Sequence, residues 1–83
     1  MKVTLRYFAS IREAIGAGNE VLETSATTLA ALRDELIGRG GAHAEALARG
    51  RAVRVSINQT MADESAALVD NAEVAFFPPV TGG

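Results

Sequence analysis

One stretch of this chain has the spacing of a strong amphipathic helix, and that stretch limits the fold more than any other feature. Leu29, Leu32 and Leu36 stand at i, i+3 and i+7, with Arg33, Asp34 and Glu35 between them. Ser25–Thr28 supplies capping residues in front, and Gly38, Gly40 and Gly41 close the segment behind. The runs on either side alternate with a period of two. Val3, Leu5 and Tyr7 share one face against Lys2, Thr4 and Arg6; Val53, Val55 and Ile57 alternate with Arg54 and Ser56. A single strong apolar helical stripe beside half-buried strands needs a sheet to cover it, so an α+β layer arrangement is expected.

The remaining elements follow from punctuation. Lys2–Phe8 reads as a first strand, and Phe8 puts an aromatic ring on the polar side. Ser10 offers an N-cap for a short helix over Ile11–Ile15, which Gly16 and Gly18 end. Glu20–Thr24 reads as a second strand, pairing with the first around that helix. Ala42–Arg49 is Ala-rich and reads as a further helix stopped by Gly50. Asn58-Gln59 marks a turn, 60–69 reads as irregular with Leu68 as its anchor, and Asp70-Asn71 turns the chain into a last strand, Glu73–Phe77. The first and last strands are the most apolar, which places them side by side in the centre of the sheet. The expected organisation is one domain over 1–77 and an extended tail over 78–83.

Composition narrows the chemistry. The chain has 83 residues, 48% of them apolar and 22% charged, as in an ordinary globule. One modest core, whose burial roughly cancels an ordering cost of about 1.5 kcal/mol per residue, leaves little volume for an enclosed cavity. A net charge of −2 gives no basic field for nucleic acid, and the seven arginines are scattered. Zero cysteine excludes disulfides and thiolate chemistry, and one histidine excludes a two-His metal site. Lys2, Arg6, Arg12 and Glu13 interrupt any apolar leader, and no run approaches a membrane span. The cytoplasm is the expected compartment, with neither membrane nor nucleic acid as a partner.

A search for catalytic parts returns little. His43 sits among alanines and reads as a solvent-facing helical residue. Asp34-Glu35 and Asp63-Glu64 are adjacent in sequence, and neighbours on a helix point apart. None of the four serines stands in a nucleophile elbow, and the glycines close a helix instead of opening one on a phosphate.

The ending, Phe76-Phe77-Pro78-Pro79-Val80-Thr81-Gly82-Gly83, is different. If Val74 and Phe76 enter the core, parity sends Phe77 outward to join Phe8 in an exposed apolar patch, the usual mark of an interaction site. Met61 either extends that patch or fills core. Pro78-Pro79 removes two backbone donors and stops sheet pairing, so the chain leaves as a stiff spacer. Gly82-Gly83 has no Cβ and suits a narrow channel. Such a tail delivers one group, the terminal carboxylate of Gly83, ionised at neutral pH and inert until a partner activates it.

These residues are similar to a known family. Asp70–Gly83 resembles the signature ending of the small, sulfur-carrier subunit of molybdopterin synthase. Tyr7-Phe8-Ala9-Ser10-Ile11-Arg12-Glu13 resembles its first strand and short helix, and Ile57-Asn58-Gln59 its third-strand exit. The resemblance implies a ubiquitin-like β-grasp fold, a mixed sheet with the main helix on one face and an extended Gly-Gly tail. It implies that a ubiquitin-activating-like adenylyltransferase uses ATP to adenylate Gly83, and that a sulfur donor enzyme converts it to a thiocarboxylate. The large synthase subunit then receives the tail, and sulfur passes to cyclic pyranopterin monophosphate to form molybdopterin. On this reading the chain is a carrier with no catalysis and no bound cofactor of its own, within a heterotetramer. Pro78, Pro79, Val80, Thr81 and Gly82 line the partner's channel, and Phe8, Met61 and Phe77 face the partner. One departure stands out: many members have Asp-Gly-Asp-Glu where this chain has Asp70-Asn71-Ala72-Glu73. Asn71 tolerates positive φ, whereas Ala72 loses a carboxylate. Two other readings fit less of the sequence: a carrier for another acceptor such as thiamine thiazole, and a ubiquitin-like binding module with an inert tail.

Overall fold

A computed structural model describes residues 1–79. Its elements in order are β1 (Lys2–Tyr7), α1 (Ala9–Ile15), β2 (Asn19–Glu23), α2 (Leu29–Ile37), α3 (Gly41–Ala46), β3 (Arg54–Ile57), β4 (Thr60–Ala62) and β5 (Glu73–Phe77). The five strands form one mixed sheet in the order β2-β1-β5-β3-β4. β1 and β5 run parallel at its centre, with Leu5 opposite Val74 and Tyr7 opposite Phe76; the other pairs are antiparallel. The first and last strands are therefore neighbours, as their apolar content predicts.

The helices cover one face. Val3, Leu5 and Tyr7 of β1 and Val74 and Phe76 of β5 point into it, together with Leu29, Leu32 and Leu36 of α2, and all are essentially inaccessible. Removing each of the valine, leucine and phenylalanine side chains from water stabilises the fold by about 1.5–3 kcal/mol. α2 begins where the sequence predicts, with the Thr28 Oγ1 accepting from the Ala31 N–H at 3.1 Å. The turn into β5 survives without glycine because Asn71 adopts φ 65°.

Four expectations are corrected. α1 starts at Ala9, and Ser10 lies inside it. Phe8 is still tied to the sheet, its N–H donating to Phe76 O at 3.1 Å, while its carbonyl already accepts from Ile11 and Arg12. The helix thus starts on the strand's last residue, with no side-chain cap. β2 runs over Asn19–Glu23, one residue earlier than the pattern indicates, and Thr24 is instead buried, with Oγ1 donating to Glu35 at 2.5 Å. α3 ends at Ala46, short of Gly50, because Leu47 plugs the core and Arg33 takes up the carbonyls of Leu47 and Ala48. Thr60–Ala62, read as irregular, is a strand. Asn58 and Gln59 both have positive φ (49° and 68°), the geometry of a two-residue hairpin turn. Among the described residues no helix is long and apolar enough to cross a membrane.

Candidate functional site

The sheet face turned away from the helices carries the predicted patch. Strand parity and register place Thr4 and Arg6 of β1, Glu73, Ala75 and Phe77 of β5, Arg54 and Ser56 of β3, and Met61 of β4 on it. Its centre is closed in, since Ser56 and Ala75 pair and are both buried. Its rim is not. Phe8 is 41% exposed and Met61 49%.

The two phenylalanines meet edge to face, ring centroids 6.1 Å apart at 82°. Arg6 lies over the Phe8 ring, its Cζ 5.7 Å from the centroid, and its Nη1 lies 3.4 Å from Glu73 Oε2. Arg6 therefore links a charged pair to the aromatic pair and fixes the rings at the mouth of the tail. Met61 pairs with Ser56, one strand beyond Phe77's partner Arg54 on β3, so it sits on the outer face and not in the core. Sequence reasoning found Phe8 and Phe77 by parity. It missed Arg6 and Arg54, although the same parity placed both outward.

β5 ends at Phe77 and passes into Pro78, half-buried, and Pro79, exposed. The other predicted site residues, Val80, Thr81, Gly82 and Gly83, lie outside the described residues. Pro78 and Pro79 share an open cleft of about 240 Å³ with Ser10 and Ile11 of α1 and with Arg51–Val53. A second open cleft, about 580 Å³, runs along the β3–β4 edge past Arg54, Met61 and Glu64.

Several other titratable groups are engaged structurally. His43, expected to face solvent, is corrected: its side chain is only 19% exposed. It packs edge-on against Tyr7 at 6.0 Å, and its Nε2 lies 3.3 Å from Glu20 Oε2. The physical reason is that α3 is short and lies over the end of β1. Burial by itself raises the Glu20 carboxyl, but hydrogen bonds from Arg39 and His43 outweigh it and hold the group below the ordinary range. The Tyr7 hydroxyl is pushed far up by burial, then by the Glu20 charge, and is no nucleophile. Asp34 receives Arg49 while Glu35 receives Thr24, so that carboxylate pair diverges. Asp63 accepts from the Ser65 N–H, and Glu64 receives both Arg33 and Arg49. Among the described residues no three His, Cys, Asp or Glu side chains group as a metal site. The unexpected residue is Arg33, 3% exposed. Its spacing was the available signal: position 33 is i+4 from Leu29 and shares the apolar face.

Comparison with known proteins identifies the family and the fold. The sequence profile of the ThiS family matches residues 5–83. The molybdopterin synthase sulfur carrier subunit of Haemophilus influenzae is 43% identical over 77 residues, covering 93% of this chain and 94% of that protein. The protein of the same name from Escherichia coli is 36% identical over 81 residues, covering 98% and 99%. Among solved structures, the complex of subunits 1 and 2 of the molybdopterin-converting factor from Helicobacter pylori contains a chain of similar fold. Its TM-score is 0.69, with 26% identity and full coverage of both chains. The chain is a ubiquitin-like β-grasp protein and belongs to the ThiS family.

Proposed function

We propose that this protein is the sulfur-carrier subunit of molybdopterin synthase. Residues 1–77 are its folded domain and 78–83 its delivery tail. An ATP-dependent, ubiquitin-activating-like enzyme joins the Gly83 carboxylate to AMP and releases pyrophosphate. Sulfide delivered by a sulfur donor enzyme then attacks the acyl carbon, a C–S bond forms as the C–O bond to AMP breaks, and a thiocarboxylate remains. The large subunit takes the tail, the thiocarboxylate sulfur bonds to cyclic pyranopterin monophosphate, and water then cleaves the acyl C–S bond so that Gly83 leaves as a carboxylate. The carrier supplies no acid, base or metal to these steps. It works in the cytoplasm, where the ATP for its activation is present.

One observation carries the reading. The central strand β5 puts Phe77 beside Phe8 on the open sheet face and runs directly into Pro78-Pro79. A docking surface and a delivery arm thus share one strand, so binding through the patch presents the tail to the partner. The names of the two relatives support the acceptor, and the subunit 1–subunit 2 complex supports a large-subunit partner. Phe8, Met61, Phe77, Pro78, Pro79, Val80, Thr81 and Gly82 are assigned to partner contact and Gly83 to the chemistry. ATP is consumed by the activating enzyme, and the carrier binds no cofactor.

Deleting Gly83 tests the assignment. Molybdopterin formation with ATP, the activating enzyme, a sulfur donor and the purified large subunit should vanish, while far-UV circular dichroism and thermal midpoint stay as in the parent chain. Retained activity would refute every carrier reading, and a lost fold would show that the tail is structural.

A further inference from the structure

Arg33 makes four hydrogen bonds from inside the protein. Nε donates to Leu47 O at 2.8 Å, Nη2 to Ala48 O at 2.7 Å and Arg51 O at 3.1 Å, and Nη1 to Glu64 Oε2 at 2.6 Å. Three of these acceptors belong to one turn, 47–51, whose own closure is a single bond from the Arg51 N–H to Ala48 O at 2.9 Å. The shape of the turn is therefore set mainly by a side chain from another element. Lysine could not reproduce it, because its compact ammonium cannot span carbonyls that the planar guanidinium fork reaches together.

The turn borders the start of the tail. Arg51 and Val53 border the cleft of about 240 Å³ that also holds Ser10, Ile11, Pro78 and Pro79. Neither proline has an N–H to hold it in a ladder. The walls of this cleft are what the fold offers beside the two prolines as the chain leaves β5. We propose that Arg33 is a positioning residue for the tail: it holds the 47–51 turn in the shape that forms one side of the Pro78–Pro79 cleft, and so sets the direction of exit. This rests on the carrier function above. Arg33 lies on the helical side of the sheet and the Phe8–Phe77 patch on the other, so its effect does not run through that patch.

The test compares the full-length parent chain with Arg33→Lys. In the parent, nuclear Overhauser contacts should join Pro78 and Pro79 protons to Ser10 and Val53. In the variant these contacts should weaken and amide exchange over 48–53 should quicken. In single-turnover activation with ATP and the activating enzyme, the rate at saturation should fall about tenfold or more, as expected for a misplaced reacting group. The KM for the carrier should stay within about twofold, the scatter of an undisturbed surface. If Arg33→Lys does not fold, Arg33→Met with Glu64→Gln leaves no buried charge and carries the same comparison. Absence of the contacts in the parent chain overturns the proposal. So does a folded variant that keeps both contacts and rate, or one whose rate and KM fail in parallel. A parent chain with the contacts but no activation would leave the positioning geometry standing and refute the carrier function instead.

Discussion

Two adjacent phenylalanines separate the fold from the function, and substituting each tests both. Phe76 is fully buried and stacks with Tyr7 at 6.2 Å. Phe76→Ala should cost about 3–5 kcal/mol in transfer and cavity terms. A domain of 83 residues has a total stability of roughly 4–12 kcal/mol at typical per-residue values. The loss is therefore a large part of the whole, and the variant should be partly or wholly unfolded at 37 °C. Phe77 loses much less when truncated, since part of its ring is already in water. Beyond the area its half-buried ring covers, the edge-to-face contact with Phe8 contributes about 0.5–1.5 kcal/mol. That corresponds to a fall in thermal midpoint of roughly 5 °C for a chain of this size. Because the protein has no tryptophan, far-UV circular dichroism through a urea titration is the appropriate assay, paired with calorimetric binding to the large subunit. Phe77→Asp should keep a cooperative transition and lose binding at least tenfold, or about 1.4 kcal/mol. Equal destabilisation by Phe76→Ala and Phe77→Asp would refute the division into faces. Unchanged binding of Phe77→Asp would refute the docking surface.

Two further predictions concern the scaffold. Asn71 holds φ 65° in the turn before β5, so Asn71→Val should cost about 1–2 kcal/mol in a urea titration, because a β-branched residue fits that region poorly; Asn71→Gly should be neutral, and equal stability of all three would show the turn to be unstrained. Burial raises the Glu64 carboxyl, but hydrogen bonds from Arg49 and Arg33 outweigh it and hold the group below its ordinary 4.5. A depressed folded value stabilises the fold above the unfolded pKa and is lost as pH falls through the folded one. The urea midpoint should accordingly be insensitive to this group at neutral pH and fall below about pH 4.5. Glu64→Gln should flatten that acid slope, and an unchanged slope would place the acid sensitivity elsewhere.

The sequence disclosed the strand faces and the tail because both rest on local rules. Alternation alone put Val3, Leu5 and Tyr7 inside, and parity from Phe76 put Phe77 outside beside Phe8. The Pro-Pro exit needs no tertiary information. What stayed hidden depends on partners distant in sequence. Arg33 has the charge of a surface residue, and only carbonyls fourteen to eighteen positions away and the Glu64 carboxylate thirty-one positions away make its burial tolerable. The same side chain ends α3 early, so an alanine-rich run that reads as helix to Gly50 stops at Ala46. His43 is drawn under cover by Tyr7 and Glu20, residues of two other elements. β4 has three residues and too little pattern to register alone; its signal was the Asn58-Gln59 turn, which demands a returning strand.

The central claim is that the carrier's chemistry lies at the carboxylate of Gly83. Intact-mass spectrometry of the full chain, after incubation with ATP, the activating enzyme and a sulfur donor, tests it most directly. The account predicts one oxygen-to-sulfur exchange, confined by fragmentation to the C-terminal glycine and absent without ATP. A chain whose mass stays unchanged while ATP is consumed, or whose sulfur maps to any other residue, would contradict it.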